Sequence, residues 1–98
     1  NTIVYTADSA YQEEWNRFCQ NADLLLAECN FYAGQDAASS GHMTSIEVGS
    51  IAKKASVGEL ILTHLPHFGD HKNLIKEAAK MYQGKISLAH EGMVWKKV

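Results

Sequence analysis

Three short apolar runs in this chain each end on a residue that can carry chemistry. The runs occupy residues 4–7, 24–27 and 60–63, and they are followed by Asp8, Glu28 and His64. Continuous apolar runs of this length are typical of strands buried on both faces of a parallel sheet. Ligands of open α/β sheets gather at the carboxyl ends of the strands. The pattern therefore predicts that Asp8, Glu28 and His64 lie along one edge of one sheet, where we place the functional site.

Strand and helix patterns alternate along the chain. Strand signals fall at Ile3–Thr6, Asp23–Ala27, Glu59–Thr63 and Lys85–Ala89, with a last extended piece near Met93–Lys97. Ser9 with Gln12 and Thr44 with Glu47 have capping-box spacing, and Asp70 is expected to cap a third helix. The alternation predicts an α/β fold. A chain of 98 residues has the size of one domain or of part of one, and we treat residues 1–98 as a single unit.

Charge and composition exclude several classes of protein. The formal net charge of −2 provides no basic surface for tight, non-specific binding of nucleic acid. No apolar run approaches the roughly 20 residues needed to cross a bilayer, so we expect no membrane partner. Cys19 and Cys29 lack metal-site spacing and no signal peptide is evident, which predicts reduced thiols in a cytoplasmic protein. The chain begins with Asn1 and enters a strand at once, so we expect a piece of a longer protein.

Asp8 and His64 are the candidate metal ligands. Asp8 follows a strand and precedes a helix, and a carboxylate at such a turn can bridge cations through its two oxygens. The alternative role of Asp8 is to cap that helix, which Ser9 can already do. A neutral imidazole is a leading zinc ligand, although a histidine at a strand end is more often structural. A catalytic zinc usually has three protein ligands. His67, just after Pro66, is a further candidate.

His42 and Glu28 are the candidate catalytic residues. His42 stands two residues before the capping Thr44, at a helix N-terminus where free amides and the helix dipole favour an anion such as phosphate. A histidine there can act as a general acid, and Glu28 at a neighbouring strand end can orient its imidazole. An ordinary polar loop residue is the alternative interpretation of His42.

The order of these pieces resembles the C-terminal half of a metallo-β-lactamase-fold hydrolase, in the branch of ribonuclease Z and phosphodiesterases. The matching segments are Tyr5-Thr6-Ala7-Asp8-Ser9 for the family's Gly-Asp-Thr/Ser segment, Leu62-Thr63-His64 for its last metal motif, Ala27-Glu28-Cys29-Asn30 for its His-Glu-Ala-Thr box, and Gly41-His42-Met43-Thr44 for its His-Ser-Thr box. The resemblance implies half of a four-layer αββα sandwich, with a mixed sheet and helices on one face. Ala7 and Met43 depart from the family's glycine and serine, and the glutamate box differs at Ala27, Cys29 and Asn30. These departures weaken transfer-RNA processing as the specific activity.

The resemblance also implies a zinc-dependent hydrolase with two zinc ions in the complete domain. Asp8 would bridge the ions, His64 would be a terminal ligand, and Glu28 would support His42 in phosphodiester cleavage. The family's His-x-His-x-Asp-His signature is absent from this sequence. The resemblance therefore implies that the metal site is completed by an N-terminal half of the same domain, and that the chain alone is inactive.

The expected partners follow from these interpretations. The substrate would be a small-molecule or RNA phosphodiester, and the open apolar face of a half sandwich would lead to self-association or a homodimer. The alternative function is a metal-free nucleotide-binding or interaction module of flavodoxin or Rossmann type. The first strand is not followed by a G-x-G-x-x-G turn, which counts against that alternative.

Overall fold

Four strands alternate with three α-helices in the computed structural model, which describes residues 1–97. The elements are β1 (Ile3–Tyr5), α1 (Glu14–Phe18), β2 (Leu24–Glu28), α2 (Ser45–Ala55), β3 (Glu59–Thr63), α3 (Lys72–Ala78) and β4 (Lys85–Leu88). A short 3-10 turn, Ala38–Ser40, lies in the loop between β2 and α2. The predicted α/β class is confirmed, and each predicted strand agrees with the structure to within one residue at either end.

The strands form one sheet in the order β1-β2-β3-β4, and each neighbouring pair is parallel. The expected mixed sheet is therefore wrong for the strands that the structure describes. Each connection passes through a helix and returns the chain to the starting edge, which makes successive strands parallel. The extended piece near Met93–Lys97 does not join the sheet as a strand.

All three helices pack on one face of the sheet, as expected. α2 contacts both α1 and α3, and the three helices cover the side chains of Val4, Leu25, Leu60 and Leu62. The three leucines are fully buried. Burial of each such side chain stabilises the fold by about 1.5–3 kcal/mol. Among residues 1–97, no helix combines the length and apolar character that a membrane span requires.

The opposite face of the sheet is covered only in part by the chain itself. The Trp95 indole donates a hydrogen bond to Glu59 Oε1 at 3.1 Å, and Lys97 Nζ lies 3.0 Å from Asp23 Oδ1. At the β1 edge, in contrast, Ile3 and Tyr5 are 55% and 59% exposed. The C-terminal segment therefore lies over one side of this face and leaves the β1 side open.

The helix starts agree with the capping predictions at α2 but not at α1. Thr44 Oγ1 accepts the Glu47 amide and Glu47 Oε1 accepts the Thr44 amide, which completes the predicted capping box. α1 begins only at Glu14 and has no side-chain cap. The Ser9 hydroxyl donates instead to the carbonyl of Thr6, and this hydrogen bond closes the turn at the end of β1. At α3, Asp70 Oδ1 accepts the Lys72 amide at 3.0 Å.

Gly49 sets the distance between α2 and α3. A Cβ atom at this position would lie 2.7 Å from the carbonyl oxygen of Ala78. Alanine is favoured over glycine in a helix by about 1 kcal/mol, whereas overpacking costs about 1–3 kcal/mol. We expect Gly49→Ala to lower the free energy of unfolding measured in urea, while Ser50→Ala at the next position has a small effect. If the Gly49→Ala chain is as stable as the parent, the close approach of α2 to α3 does not require a glycine at this position.

Candidate metal centre

Sharp backbone turns place Asp8 and His64 at the carboxyl edge of the sheet. Ala7 and His64 adopt left-handed backbone conformations with φ of 52° and 50°. Such a conformation costs a residue with a side chain about 1–3 kcal/mol, and this kind of strain is concentrated at functional sites. The two turns bring His64 Nε2 to 3.8 Å from Asp8 Oδ1. The structure thus places these two predicted residues together.

His42 completes a cluster of three metal-ligating side chains. Asp8, His42 and His64 each offer a ligand atom, and these atoms all lie within 4.8 Å of one another. The imidazole rings of His42 and His64 are stacked, with centroids 5.5 Å apart and an interplanar angle of 21°. The sequence singled out His42 for a role toward substrate, and its position among the candidate ligands was not anticipated.

A buried carboxylate holds His42 in place. Glu28 is fully buried, and its Oε1 lies 2.8 Å from His42 Nδ1. The same oxygen accepts the Met43 amide at 3.2 Å, while Oε2 accepts the Asn30 amide at 3.1 Å. An ionised carboxylate carries no proton, so His42 Nδ1 must be the donor in this contact. The Nε2 atom of His42 is then available to a metal ion or a substrate.

The start of α2 offers fewer free amides than expected. The Thr44 and Glu47 amides bond within the capping box, and the Ser45 amide donates to the Phe31 carbonyl at 3.1 Å. The predicted phosphate site made of free amides beside His42 therefore has no support at these three positions. What remains to favour an anion there is the helix dipole.

Three further residues between β3 and α3, His67, Asp70 and His71, lie outside the cluster. His67 is exposed and is not among the three clustered residues, so its expected contribution to the metal site is not supported. His71 Nε2 contacts the Pro66 carbonyl oxygen at 2.6 Å, which gives that histidine a structural partner. Asp70 accepts the Lys72 amide at the start of α3.

The two cysteines do not contribute ligands to the cluster. Burial raises the pKa of Cys29 to about 12, with further contributions from the negative charges of Glu28 and Glu77. Burial also raises the pKa of Cys19 to about 11. Because a thiol binds metal as the thiolate, these raised pKa values disfavour both cysteines as metal ligands at neutral pH.

The cluster opens to solvent on one side. The side chains of Asp8 and His64 are 62% and 48% exposed, against 20% for His42. A cleft of about 560 Å³ adjoins Asp8 and is lined in part by Trp15, Phe18 and Gly41. A ligand can therefore reach the cluster from the side of α1.

The donor set fits a zinc ion. Two imidazoles and one carboxylate are typical zinc ligands, and ligands about 2.1 Å from one tetrahedral ion lie roughly 3.4 Å apart. The observed limit of 4.8 Å between the donor atoms requires only a small closure. A parallel sheet with such a set at its carboxyl edge belongs to the class of α/β folds that carry a candidate metal site at the strand ends.

Comparisons with known proteins agree with this class. The crystal structure of the metallo-β-lactamase fold protein YhfI from Bacillus subtilis superposes with a TM-score of 0.93 and 59% sequence identity, over 95% of this chain and 39% of that chain. The curated sequence of that organism's probable metallo-hydrolase YhfI is 58% identical over 95 residues. Ribonuclease Z of Archaeoglobus fulgidus is 34% identical over 88 residues, which cover 86% of this chain and 29% of that enzyme. No protein-family model matches the chain.

The chain has the fold of one part of a metallo-β-lactamase-fold protein. It spans 39% of the length of the YhfI relative and 29% of the length of the ribonuclease Z. That coverage agrees with the expectation that the chain corresponds to part of the fold.

Replacement of Glu28 tests the buried network. In Glu28→Gln the amide has a single acceptor oxygen, and its NH₂ group faces either the Asn30 amide or the donors of His42 and Met43. A buried donor left without an acceptor costs about 1–3 kcal/mol. We expect a loss of this size in the free energy of unfolding in urea, with Glu91→Gln, at an exposed position, as the control. If Glu28→Gln is as stable as the parent, the hydrogen bonds of Glu28 do not stabilise the fold as described.

Proposed function

We propose that this chain is part of a zinc-dependent hydrolase that cleaves phosphodiesters. The observation that carries the proposal is the convergence of Asp8, His42 and His64 at one sheet edge, with Glu28 behind His42. The relatives support it, because one is described as a probable metallo-hydrolase and others as ribonuclease Z. Both names describe proteins longer than this chain.

Asp8 and His64 are the residues that hold the metal in this proposal. The exposed carboxylate of Asp8 has two oxygens, so it can engage two cations, and His64 Nε2 lies beside one of those oxygens. A bound zinc ion supplies Lewis-acid chemistry, since it stabilises charge on a phosphoryl oxygen and makes a water molecule more acidic. The further ligands belong to the His-x-His-x-Asp-His signature, which this sequence lacks.

His42 acts on the substrate in this proposal, and Glu28 orients it. The Glu28 carboxylate engages Nδ1 of His42, which leaves Nε2 as the ring nitrogen free for other contacts. From there a protonated His42 can donate to the leaving oxygen of a phosphodiester. The same geometry also suits a histidine ligand supported by a carboxylate, which makes the zinc content of His42 variants informative.

The alternative nucleotide-binding module of flavodoxin or Rossmann type is less well supported. Those folds bind nucleotides at a switch point, where the strand order reverses and helices cover both faces. In residues 1–97 the strand order follows the sequence and the helices share one face. No switch point is present in this sheet.

Metal content and turnover of single variants test the proposal in the full-length protein that carries this chain. We expect Asp8→Ala and His64→Ala to lose bound zinc and activity on a chromogenic phosphodiester, and chelation of the parent to abolish its activity. His42→Ala should keep its zinc and lose about 10²–10⁴-fold in kcat, whereas His67→Ala, at an exposed position outside the cluster, should match the parent. The isolated chain should bind zinc weakly and show no turnover.

Two outcomes of this experiment would change the proposal. Unaltered zinc content and turnover in Asp8→Ala would refute the role of Asp8 as a bridging ligand. Loss of zinc from His42→Ala would make His42 a ligand and leave the proton donor to another residue.

The open side of the sheet supports a partner. Ile3 and Tyr5 are more than half exposed on the face away from the helices. In a sandwich this face packs against a second sheet about 10 Å away, and we propose that the N-terminal half of the domain supplies that sheet. Without it, two copies of the chain can cover each other's exposed β1 edge.

Sedimentation equilibrium of the isolated chain at micromolar concentration tests this partner. We expect a dimer or larger species, because apolar area left in water costs about 25 cal/mol per Å². Tyr5→Lys should shift the equilibrium toward monomer, and Gln20→Lys, at an exposed site after α1, should not. A parent chain that is monomeric and binds no hydrophobic dye would rule out the open-face proposal.

A further inference from the structure

Asn30 connects the two histidines of the cluster through separate hydrogen bonds. Its backbone amide donates to Glu28 Oε2 at 3.1 Å, and Glu28 in turn holds His42. Its side-chain Nδ2 donates to the carbonyl oxygens of His64 at 3.2 Å and of Leu65 at 3.5 Å. Asn30, just after the end of β2, thus contacts both Glu28, which holds the His42 ring, and the backbone of His64.

The turn at His64 needs such a contact. The pairing of β2 with β3 continues to Thr63, whose carbonyl accepts the Cys29 amide at 2.8 Å. His64 then leaves the sheet with φ of 50°, a conformation that a histidine adopts only when its surroundings enforce it. The two carbonyls beyond Thr63 are no longer part of the ladder, and the Asn30 NH₂ group has one donor for each of them.

We propose that Asn30 is a positioning residue that fixes the orientation of His64 relative to His42. The inference rests on the proposed function, in which His64 binds the metal. Its basis is that the two parts of Asn30 have different partners: the backbone amide supports Glu28 and through it His42, whereas the side chain supports the turn at His64 and Leu65. A side-chain substitution should therefore release His64 and leave His42 in place.

The identity of the residue matters for this role. The family box that resembles this segment has threonine where this chain has Asn30. A threonine or serine hydroxyl has a single proton to donate, so it serves one carbonyl at a time. An asparagine spans both carbonyls of the left-handed turn.

NMR of the metal-free 98-residue chain tests the positioning directly. In the parent, ring protons of His42 and His64 should show mutual NOEs, as the 5.5 Å stacking requires. We expect Asn30→Ala to lose these NOEs and retain the hydrogen-bonded Nδ1 proton of His42, with Asn30→Ser intermediate. Asn73→Ala, at an exposed position on α3, is the matched control. If Asn30→Ala does not fold, the serine variant gives the answer.

Zinc titration of the same variants in the full-length protein that carries this chain supplies a second readout. Residues that orient metal ligands typically contribute 10–100-fold to affinity, so we expect at least a tenfold loss in Asn30→Ala and a smaller loss in Asn30→Ser. Lower thermal stability with unchanged ring NOEs would overturn the inference and leave Asn30 a purely structural residue. Absence of zinc binding by the parent would count against the proposed function, whereas the metal-free ring contacts decide the role of Asn30 separately.

Discussion

The buried carboxylate of Glu28 is the interaction on which the arrangement of the site depends. A charge removed from water must be compensated by hydrogen bonds, and Glu28 obtains them from Asn30, His42 and Met43. Its own amide donates to Thr6 Oγ1, which joins the ends of β1 and β2. Since His42 and Met43 come from the far end of the loop after β2, compensation of this one charge requires the loop to fold back on the sheet.

The loop over residues 30–43 is ordered by contacts that are distant in sequence. Loops of this length without regular structure are uncommon in small domains. Glu77 on α3 accepts the Ala33 amide and the Ser45 hydroxyl, and the Tyr32 hydroxyl donates to the Phe68 carbonyl. The loop after β2 is therefore tied both to α3 and to the turn that follows β3. Movement of α3 or of the turn after β3 would therefore shift His42.

Local signals in the sequence predicted most of the fold, and long-range pairing explains what they missed. Local strand signals located all four strands, three of them as apolar runs, and the spacing of Thr44 and Glu47 located the start of α2, because these features depend on neighbouring residues. The mixed sheet and the Ser9 cap were wrong, since strand direction and the turn at Thr6 are decided by packing and by backbone geometry. The strand-end rule placed Asp8 and His64 together, but no local pattern places His42 beside them. That position depends on the closure of a loop by Glu28.

The unequal exposure of the three clustered side chains has a kinetic meaning. Asp8 and His64 project into solvent, whereas His42 is mostly covered and is anchored from behind. A dissolved cation that approaches the sheet edge encounters the two outer side chains first and the inner ring last. On the proposed assignment, the two outer side chains would govern capture of the ion, while the inner ring, held from behind by Glu28, would stay in place for the substrate.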